Sequence, residues 1–424
     1  MANVCANSTN SLSKPIEIAV VGLGGFGENY LRALLENHHP SFSLIAGVDP
    51  EPNRCCRLEQ LENLNIPIYS TLADLFEEHS PSLVLIASPA YKHKQQTCDS
   101  LANGCHVLCE KPLATTLDDG IAMFRAKQQA ERVVAIGYQW SFSPAIQALK
   151  SDIIAGRLGR PKRLKSLVLW PRSESYYGRN SWAGRNHSGG GEPIFDSPVS
   201  NACAHHLHNM LYLLGTTPTQ SEWPLSVACE LYRAHHIESF DTAVLRVTTT
   251  CGAELVLVVS HATRSVREPT FHFEFENAVV DYDLAGEGCL IGRWNDGGVR
   301  RYGPLPSGTC VDKLWVVLNA IREDREVPCG IAASLPHLAV ISAIQPSPIA
   351  PFPPSMIHTN SVSHQRDFTV VGLNQDLIRC YDAWALPSEL GLDWSQPKHF
   401  CVPASWRRAG EPALGEANRK EQLV

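Results

Sequence analysis

The sequence contains no apolar run long enough to cross a bilayer, and its polar first residues lack the apolar segment of a secretory signal. It also contains no C-x-x-C pair, and its 14 cysteines are scattered, which argues against a zinc site built on such pairs and against a disulfide framework. The formal net charge of -7 argues against nucleic acid or an anionic membrane as a partner. These absences predict a cytoplasmic protein with reduced thiols that binds neither nucleic acid nor membrane.

The length of 424 residues and the hydrophobic content of 44% suit a globular protein with two domains. The distribution of apolar segments and turn residues places these domains between two flexible tails. The predicted segments are a tail over residues 1–14, a dinucleotide-binding domain over 15–140, an α+β domain over 141–395 with a Pro-rich loop at 345–366, and a second tail over 396–424.

A glycine-rich turn follows the first apolar strand of the chain and precedes a helix. Gly22, Gly24 and Gly27 form the pattern G-x-G-x-x-G, in which the first glycine allows a tight turn. The second glycine lets the backbone approach a pyrophosphate, the third lets the helix pack on the strand, and the first amides of the helix face the phosphates. We therefore predict that these glycines, with Phe26, bind a dinucleotide. A strand–helix–strand unit with no ligand is the alternative.

The second apolar strand ends at Asp49. A carboxylate about 20 residues beyond the glycines can accept hydrogen bonds from both ribose hydroxyls of the adenosine half. The same negative charge repels a 2′-phosphate, so the sequence predicts NAD rather than NADP as the cofactor. Arg54 lies near enough in the sequence to weaken that preference.

Strand and helix patterns alternate over residues 16–137. Such alternation predicts a doubly wound parallel sheet of the Rossmann type, whose ligands bind beyond the carboxyl ends of the strands. Ser88, Glu110 and Tyr138 fall at such ends. After Pro144, strand-like runs separated by short turns predict an open antiparallel sheet in an α+β domain. The predicted fold class is therefore α/β, with a second domain of the α+β type.

Three motifs along these strands resemble those of the Gfo/Idh/MocA oxidoreductase family in order and spacing. They are Ser88-Pro89-x-x-x-His93, the run HVLCEKPLATT that contains Glu110-Lys111-Pro112, and Gly137-Tyr138-Gln139-Trp140. The resemblance covers about residues 16 to 345 and implies an NAD-dependent oxidoreductase of sugars or inositols. It also implies a cis peptide bond before Pro112. The cofactor contacts that it implies come from Ser88, His93, Glu110, Lys111 and Gln139.

The family has a second motif, D-x-G-x-H, which precedes a Leu-Leu-Gly sequence. That sequence is Leu213-Leu214-Gly215 here. Counting back from it places the family histidine at His205, the glycine at Cys203 and the aspartate at Asn201, so the motif departs from the family at two positions.

The resemblance implies that His205 transfers the substrate proton, since the ordinary pKa of a histidine lies near neutrality, and that Lys111 stabilises the developing alkoxide. Asn201 cannot act as a base, but it can bind a substrate hydroxyl or orient His205. Asp196 offers a competing register for the motif, but Ser200 rather than a histidine stands four residues after it.

Each of these assignments has a simpler alternative. Lys111 could pair only with Glu110 at the sheet edge, and one of the two neighbouring histidines could stand in the place that we give to His205. Cys203, His205 and His208 are close enough in the sequence to suggest a metal site. No further carboxylate or cysteine is spaced to complete such a site, so we predict no metal.

The stretch from Trp170 to Arg185 is rich in aromatic and arginine side chains. Flat aromatic faces suit a sugar ring, and guanidinium groups suit hydroxyls or a carboxylate. We therefore predict a substrate-binding set of Arg172, Tyr177, Trp182, Arg185 and Asn201. The same residue types are enriched at interfaces, so a subunit contact is the alternative. The resemblance implies a homo-oligomer, a dimer or a tetramer.

The sequence thus predicts an NAD(H)-dependent oxidoreductase that acts on a secondary hydroxyl or ketone of a sugar, cyclitol or glycoside. The first alternative is a redox-neutral enzyme of the same fold, in which bound NAD is recycled within one turnover during glycoside cleavage or epimerisation. The second alternative is a non-catalytic sensor that binds NAD(H). The presence of Lys111 and His205 argues against the sensor.

Overall fold

The computed structural model describes residues 14–37, 39–306, 311–362 and 365–404. Its strands form two large sheets and one separate hairpin. The tails predicted over residues 1–14 and 396–424 lie outside these ranges, apart from Lys14 and residues 396–404. Within the described ranges, no helix combines the length and the apolar character that a membrane crossing requires.

The first domain alternates strand and helix. Its elements are β1 (Ile16–Val21), α1 (Gly27–Glu36), β2 (Phe42–Val48), α2 (Leu58–Asn63), β3 (Ile68–Tyr69), α3 (Leu72–Glu78), β4 (Leu83–Ile86), α4 (Ala90–Ala102), β5 (His106–Cys109), α5 (Leu117–Ala130) and β6 (Val134–Ile136). The strand order is β3-β2-β1-β4-β5-β6, and neighbouring strands are parallel. This order confirms the predicted doubly wound sheet. It reverses direction between β1 and β4, so a crevice opens at the carboxyl ends of these two strands.

Burial explains why the central strands are continuous apolar runs. The four residues of β4 are fully buried, because helices cover both faces of the parallel sheet. Side-chain caps begin two of the helices. Thr71 accepts a hydrogen bond from the N–H of Asp74 at the start of α3, and Thr116 accepts one from Asp119 at the start of α5. These local signals set where the helices begin and hence which loops reach the carboxyl edge.

The second domain is built on a ten-stranded sheet. Its helices are α6 (Pro144–Ile154), α7 (Glu174–Gly178), α8 (Ala204–Leu213), α9 (Asp312–Arg322), α10 (Ile331–Ile344) and α11 (Leu373–Ala383). Its strands are β7 (Pro161–Leu169), β8 (Pro224–Arg233), β9 (Thr242–Thr249), β10 (Glu254–Ser260), β11 (Arg267–Phe275), β12 (Ala278–Asp283), β13 (Cys289–Trp294), β14 (Val299–Pro304), β15 (Ile349–Pro351) and β18 (His399–Cys401). The order is β14-β13-β12-β11-β7-β10-β9-β8-β15, with β18 on β8. The strands β16 (Ile357–Val362) and β17 (Gln365–Val370) form the separate hairpin.

Three features of this domain correct the sequence predictions. The sheet is mixed, because β7 pairs in parallel with β10, and β15 in parallel with β8, although its other pairs are antiparallel. The predicted Pro-rich loop at 345–366 contains β15 and β16. Pro351 ends β15 at the sheet edge, where a missing N–H is tolerated. In the predicted tail, β18 pairs with β8 and its Cys401 is buried.

The chain itself covers both faces of the strands β7 to β10 in the ten-stranded sheet. One face packs against α8 and α10. The other packs against α11 and the segment after it, where Val244, Val258, Leu377 and Trp384 belong to one apolar cluster. A homo-oligomer would therefore have to form through another surface than this covered area.

Two late helices return to the first domain. The helix α10 packs on α5, and α9 packs beside β5. The N–H of Ile136 in β6 donates to the carbonyl oxygen of Cys329 at 2.9 Å, so the chain before α10 runs along the edge of the Rossmann sheet. The carboxyl ends of β5 and β6 therefore meet residues from distant parts of the sequence.

Candidate active site

The glycine turn lies at the start of α1, in the crevice between β1 and β4. Gly22 has a φ of +80°, and a Cβ there would lie 2.8 Å from the backbone nitrogen of Ser88. A Cβ on Gly27 would lie 1.8 Å from the carbonyl oxygen of Gly22, so only glycine allows α1 to approach β1 this closely. Asp49 lies beside the turn, where its Oδ2 accepts a hydrogen bond from the N–H of Leu23 at 2.8 Å.

These residues fit a bound dinucleotide. At Gly24 the protein leaves room for a side chain, since an added Cβ would meet only Arg54 atoms at 3.7 and 3.8 Å. A pyrophosphate against this turn would occupy that room. Among the described residues no side chain caps the start of α1, where the N–H groups of Gly27 and Asn29 donate to carbonyl oxygens of the turn, so no side chain competes with a phosphate there. Each carboxylate oxygen of Asp49 accepts one backbone hydrogen bond, from Leu23 or Glu51, and keeps a lone pair for a ribose hydroxyl.

His93 holds the backbone around the predicted cofactor contacts. Only 1% of its surface is exposed, and burial lowers its pKa. Its Nδ1 lies 2.8 Å from the carbonyl oxygen of Pro112, and its Nε2 lies 2.9 Å from that of Ser88. His93 therefore ties the end of β4 to the chain after β5. Because both of its ring nitrogens face these carbonyl oxygens, we infer that it positions the cofactor site without contacting the cofactor.

Glu110 follows β5 and is paired with a lysine from the second domain. Its Oε1 lies 2.7 Å from the Nζ of Lys313, which is on α9, and accepts a hydrogen bond from the hydroxyl of Tyr30 at 2.5 Å. The ammonium group of Lys313 also lies 4.5 Å from the centre of the Phe26 ring. Glu110 thus has Lys313, and not the side chain of Lys111, as its ion-pair partner.

Lys111 instead faces the second motif. The peptide bond between Lys111 and Pro112 is cis, as the resemblance implies. The Nζ of Lys111 donates to Oδ1 of Asn201 at 2.8 Å and to its carbonyl oxygen at 2.9 Å. The Nδ2 of Asn201 in turn donates to Oδ1 of Asp196 at 2.8 Å. Asn201 therefore links the lysine to a buried carboxylate, whose other oxygen accepts from the N–H of Gly184 at 2.7 Å.

The three histidines of α8 differ in exposure. His206 and His208 are 1% exposed, and each has a ring nitrogen near a serine hydroxyl, at 3.1 Å from Ser166 and 3.0 Å from Ser141. His205 is partly exposed, and its Nδ1 is buried with no hydrogen-bond partner among the described residues. Of the three histidines, His205 therefore has the imidazole that a ligand can reach.

The environment of His205 keeps its imidazole neutral. Burial, together with the positive charges of Lys111 and Lys313, lowers its pKa well below the ordinary value of 6.5. Burial also lowers the pKa of Lys111, which the carboxylates of Glu110 and Asp196 counteract. A neutral imidazole thus lies within electrostatic reach of a lysine, and these are the two groups that proton transfer from a hydroxyl requires.

Aromatic side chains surround His205. The ring of Trp140 lies 5.6 Å from its imidazole and the ring of Tyr138 lies 6.0 Å from it, edge-on. The hydroxyl of Tyr138 is held at 2.8 Å by Nδ1 of the buried His337 on α10. Gln139, half-buried between these two aromatic residues, begins a short 3-10 turn after β6. The aromatic residues that follow β6 therefore line one side of His205.

The predicted substrate residues of the 170–185 stretch do not all lie together. The hydroxyl of Tyr177 lies 3.0 Å from Nδ1 of the buried His261, so its polar end is directed into the protein. Arg185 is exposed and forms an ion pair with Glu238 at 3.0 Å. Arg172 and Trp182, in contrast, belong to a cluster of aromatic and guanidinium groups around Tyr176 and Arg179.

Sequence reasoning missed the roles of Asp196, Lys313 and Arg179. Asp196 was visible only as a competing register, although its spacing of five residues from Asn201 was a usable signal. Lys313 reaches Glu110 only because α9 folds back onto β5, and no local pattern indicates this. Among the described residues, no three His, Cys, Asp or Glu side chains group together as they would to bind a metal ion.

Comparison with known proteins places the first domain in a family. Residues 16–138 match the model of the Gfo/Idh/MocA oxidoreductase family, NAD-binding Rossmann fold. An inositol 2-dehydrogenase from Ralstonia nicotianae is 27% identical over 201 residues, which are 47% of this chain and 55% of that protein. A 2,7-anhydro-N-acetylneuraminate hydratase from Mediterraneibacter gnavus is 25% identical over 210 residues, 49% of this chain and 51% of that protein. The chain thus spans about half the length of the curated relatives that it matches.

The fold extends further than the sequence similarity. The crystal structure of the WlbA dehydrogenase from Bordetella pertussis, in complex with NADH and UDP-GlcNAcA, superposes with a TM-score of 0.63 at 22% identity. The superposition covers 77% of this chain and 94% of that one. At this level of identity the likeness shows a shared two-domain fold.

Proposed function

We propose a specific activity for this chain, whose residues 16–138 match the model of the Gfo/Idh/MocA oxidoreductase family, NAD-binding Rossmann fold. The protein is an NAD(H)-dependent oxidoreductase that acts on a secondary hydroxyl or ketone of a sugar, cyclitol or glycoside. The observation that carries this proposal is a neutral, partly exposed His205 close enough to Lys111 for the charge of the lysine to lower the pKa of the imidazole.

The chain offers a complete set of groups for the cofactor. The start of α1 and the space at Gly24 would hold the pyrophosphate, and Asp49 would hold the adenosine ribose. When bound, the nicotinamide would supply the acceptor or the donor of the hydride. Asp49 carries a negative charge beside the ribose site, which favours NAD over NADP.

His205 moves the proton. Its neutral ring can accept the proton of the substrate hydroxyl during oxidation and return it during reduction. Its buried Nδ1 has no hydrogen-bond partner among the described residues, so a substrate hydroxyl meets no competing partner at that nitrogen.

Lys111 binds the same substrate oxygen. Two of the three N–H groups of its ammonium are used by Asn201, and the third is left for the substrate. A positive charge at this position stabilises the oxygen as negative charge develops on it. Asn201 positions Lys111 and has no basic group of its own, so it takes no part in proton transfer.

A redox-neutral reaction is the second candidate. The observation that favours it is the similarity to a protein named as a hydratase. Such an enzyme needs the same Lys111, the same His205 and a cofactor that stays bound. We also propose a reducing, cytoplasmic location, since every cysteine among the described residues is free.

The proposed activity is tested with a panel of sugars, cyclitols and glycosides, by following the absorbance of reduced nicotinamide. We expect NAD reduction with at least one member, and its loss in His205→Ala and Lys111→Ala. Lys162→Ala and His399→Ala, which change exposed side chains elsewhere, are the matched controls and should behave as the unmodified protein. Near-normal turnover by His205→Ala would show that another group transfers the proton.

A further inference from the structure

We propose that the substrate carries an anionic group, a carboxylate or a phosphate, which Arg172 and Arg179 bind beside the candidate active site. This inference rests on the proposed function in one respect, namely that the substrate lies between Lys111 and His205. It goes further because it names the chemical class of that substrate and two residues that select it.

The two guanidinium groups are arranged around one ring. That of Arg172 lies 4.8 Å from the centre of the Tyr176 ring, and that of Arg179 lies 3.7 Å from it. Arg172 follows β7, and its backbone is held on both sides. Its N–H donates to the carbonyl oxygen of His261 at 3.0 Å, and its own carbonyl oxygen lies 2.9 Å from Nε2 of His235. The position of Arg172 is therefore built into the second domain.

Neither guanidinium has an anionic partner within the ranges that the structure describes. The Nε of Arg172 is buried and has no hydrogen-bond partner. Arg179 donates only to the carbonyl oxygen of Tyr176. Arg185, from the same stretch, is satisfied by Glu238. A buried guanidinium donor without a partner is unfavourable, and a bound anion would satisfy it.

Arg172 and Arg179 each lie close enough to a group near Lys111 to influence its pKa. Burial raises the pKa of the Cys203 thiol to about 12, while the charges of Arg172 and Lys111 lower it. Burial also raises the pKa of Asp196, which its hydrogen bonds and the charges of Arg179 and Lys111 counteract. Geometry agrees with these influences, because the Arg172 guanidinium lies 5.8 Å from the centre of the Trp170 ring, and that ring lies 6.0 Å from the ring of His206, the neighbour of His205 on α8.

The charged side chains near the N-terminal end of α8 carry an excess of positive charge. Lys111, Arg172 and Arg179 contribute three positive charges, and Asp196 contributes one negative charge that Asn201 and the N–H of Gly184 already engage. Glu110 has Lys313 as its ion-pair partner. Excess positive charge next to a substrate site attracts an anionic substrate, and the planar guanidinium groups suit the paired oxygens of a carboxylate or phosphate.

The binding test uses the protein loaded with NAD and a panel of hexoses and inositols, each with its uronate or monophosphate counterpart. Binding is measured from the increase in melting temperature with ligand concentration. We expect anionic members to bind at least about tenfold more tightly than their neutral counterparts, and Arg172→Gln and Arg179→Gln to abolish this difference. Uronates and phosphates in separate arms distinguish the two anions. Neutral members that bind as tightly as anionic ones would overturn the proposal.

Two further variants separate charge from folding. Arg172→Lys keeps the charge and should retain part of the preference for anions, whereas a purely structural arginine would lower the melting temperature without changing that preference. Arg163→Gln is the matched control, because Arg163 also stacks on an aromatic ring, that of Trp384, but pairs with Glu274 far from this site.

The same panel, followed for NADH formation, separates this inference from the proposed function. A preference for anions in binding without NADH formation from any member would leave the inference standing and defeat the proposed activity. NADH formation from neutral members alone, unchanged in Arg172→Gln, would support the activity and defeat the inference.

Discussion

Lys111 donates hydrogen bonds to both the side-chain and the main-chain oxygen of Asn201, at 2.8 and 2.9 Å. The resemblance places Asn201 where the family has an aspartate, so a neutral amide occupies the position of a charge. A carboxylate is nevertheless present next to this amide, because Nδ2 of Asn201 donates to the buried Asp196 at 2.8 Å. Asp196 thereby also fixes the amide orientation, with Oδ1 toward Lys111.

The first prediction concerns this chain of three residues. Asp196→Asn keeps one of the two acceptor oxygens of the carboxylate and removes its charge, which together with that of Glu110 raises the pKa of Lys111. Glu110, on the other side of Lys111, continues to raise that pKa, while Lys313 lowers it. We therefore expect the alkaline limb of the pH dependence of kcat to move down by about one pH unit.

A second substitution provides the control for that shift. Asn201→Asp alone places two carboxyl groups in contact, so one of them stays protonated and measurable activity remains. Combining Asn201→Asp with Asp196→Asn restores a single carboxylate next to Lys111 and should return the alkaline limb to higher pH. An unchanged pH dependence in Asp196→Asn would mean that this carboxylate only supports the fold.

The second prediction concerns the acidic limb of the same pH dependence. The pKa of His205 lies well below 6.5, because burial and the charges of Lys111 and Lys313 disfavour its protonated form. We expect kcat/KM for oxidation to persist well below pH 6.5, and His205→Ala to lower kcat by about 10²- to 10⁴-fold with the fold intact. An acidic limb close to the ordinary histidine value would point to a different base.

The third prediction concerns the cofactor. Asp49 accepts from the N–H of Leu23 beside the glycine turn, so its charge faces the adenosine ribose site. We expect kcat/KM to be clearly higher with NAD than with NADP, and Asp49→Ser to reduce that ratio by about tenfold or more. Equal turnover with both cofactors in the unmodified protein would contradict this, and Arg54, next to Gly24, would then be the residue to examine.

The fourth prediction concerns the buried pair that supports the 170–185 stretch. His235 Nδ1 lies 2.8 Å from Asp241, and its Nε2 holds the carbonyl oxygen of Arg172. Burial opposes a charged imidazole, but the hydrogen bond and charge of Asp241 outweigh it and raise the pKa of His235. Asp241→Asn should lower the free energy of unfolding by about 3 kcal/mol, because it leaves a buried, protonated imidazole without the opposing charge.

The pH window of that stabilisation follows from the direction of the shifts. The contribution of His235 is fully present below its ordinary pKa of 6.5 and is lost as the pH rises through the raised value of the folded protein. The lowered pKa of Asp241 adds stability that is present above 3.8 and lost as the pH falls through its folded value. Urea unfolding at pH about 5.5 and about 8.5 should therefore show a larger deficit for His235→Gln at the lower pH. An equal deficit at both would contradict the assignment.

Local patterns in the sequence were sufficient for the first domain. The turn at Gly22 and the continuous apolar run of β4 have physical causes within a few residues, namely a positive φ and burial on both faces. The choice of His205 stays a prediction, although motif spacing selected the one histidine of three on α8 that is not fully buried.

What the sequence could not provide depends on tertiary contacts. The ion pair of Glu110 with Lys313 exists because α9 returns to β5. The prolines of residues 345–366 indicated a loop, although β15 is stabilised there by pairing with the edge of β8. Tyrosine is a residue type that often binds sugars, but the hydroxyl of Tyr177 is hydrogen-bonded to His261 inside the protein.

The last prediction decides between the dehydrogenase and the redox-neutral enzyme. Both need the turn at Gly22, the charge of Lys111 and the neutral ring of His205, so none of these residues separates them. They differ in the fate of the cofactor. A dehydrogenase must exchange NAD(H) in every turnover, so it should purify largely without dinucleotide and show a dependence on NAD concentration. An enzyme that returns its hydride gains from never releasing NADH and should purify with the dinucleotide bound.

The positive charges of Arg172 and Arg179 are compatible with both reactions, and whether they bind the substrate or the cofactor is tested in the same experiment. We expect the supernatant of the denatured protein to contain far less than one dinucleotide per chain, and Arg172→Gln to leave the KM for NAD unchanged while it raises the KM for an anionic substrate. Stoichiometric dinucleotide, together with substrate consumption that yields no net NADH, would establish the redox-neutral reaction instead.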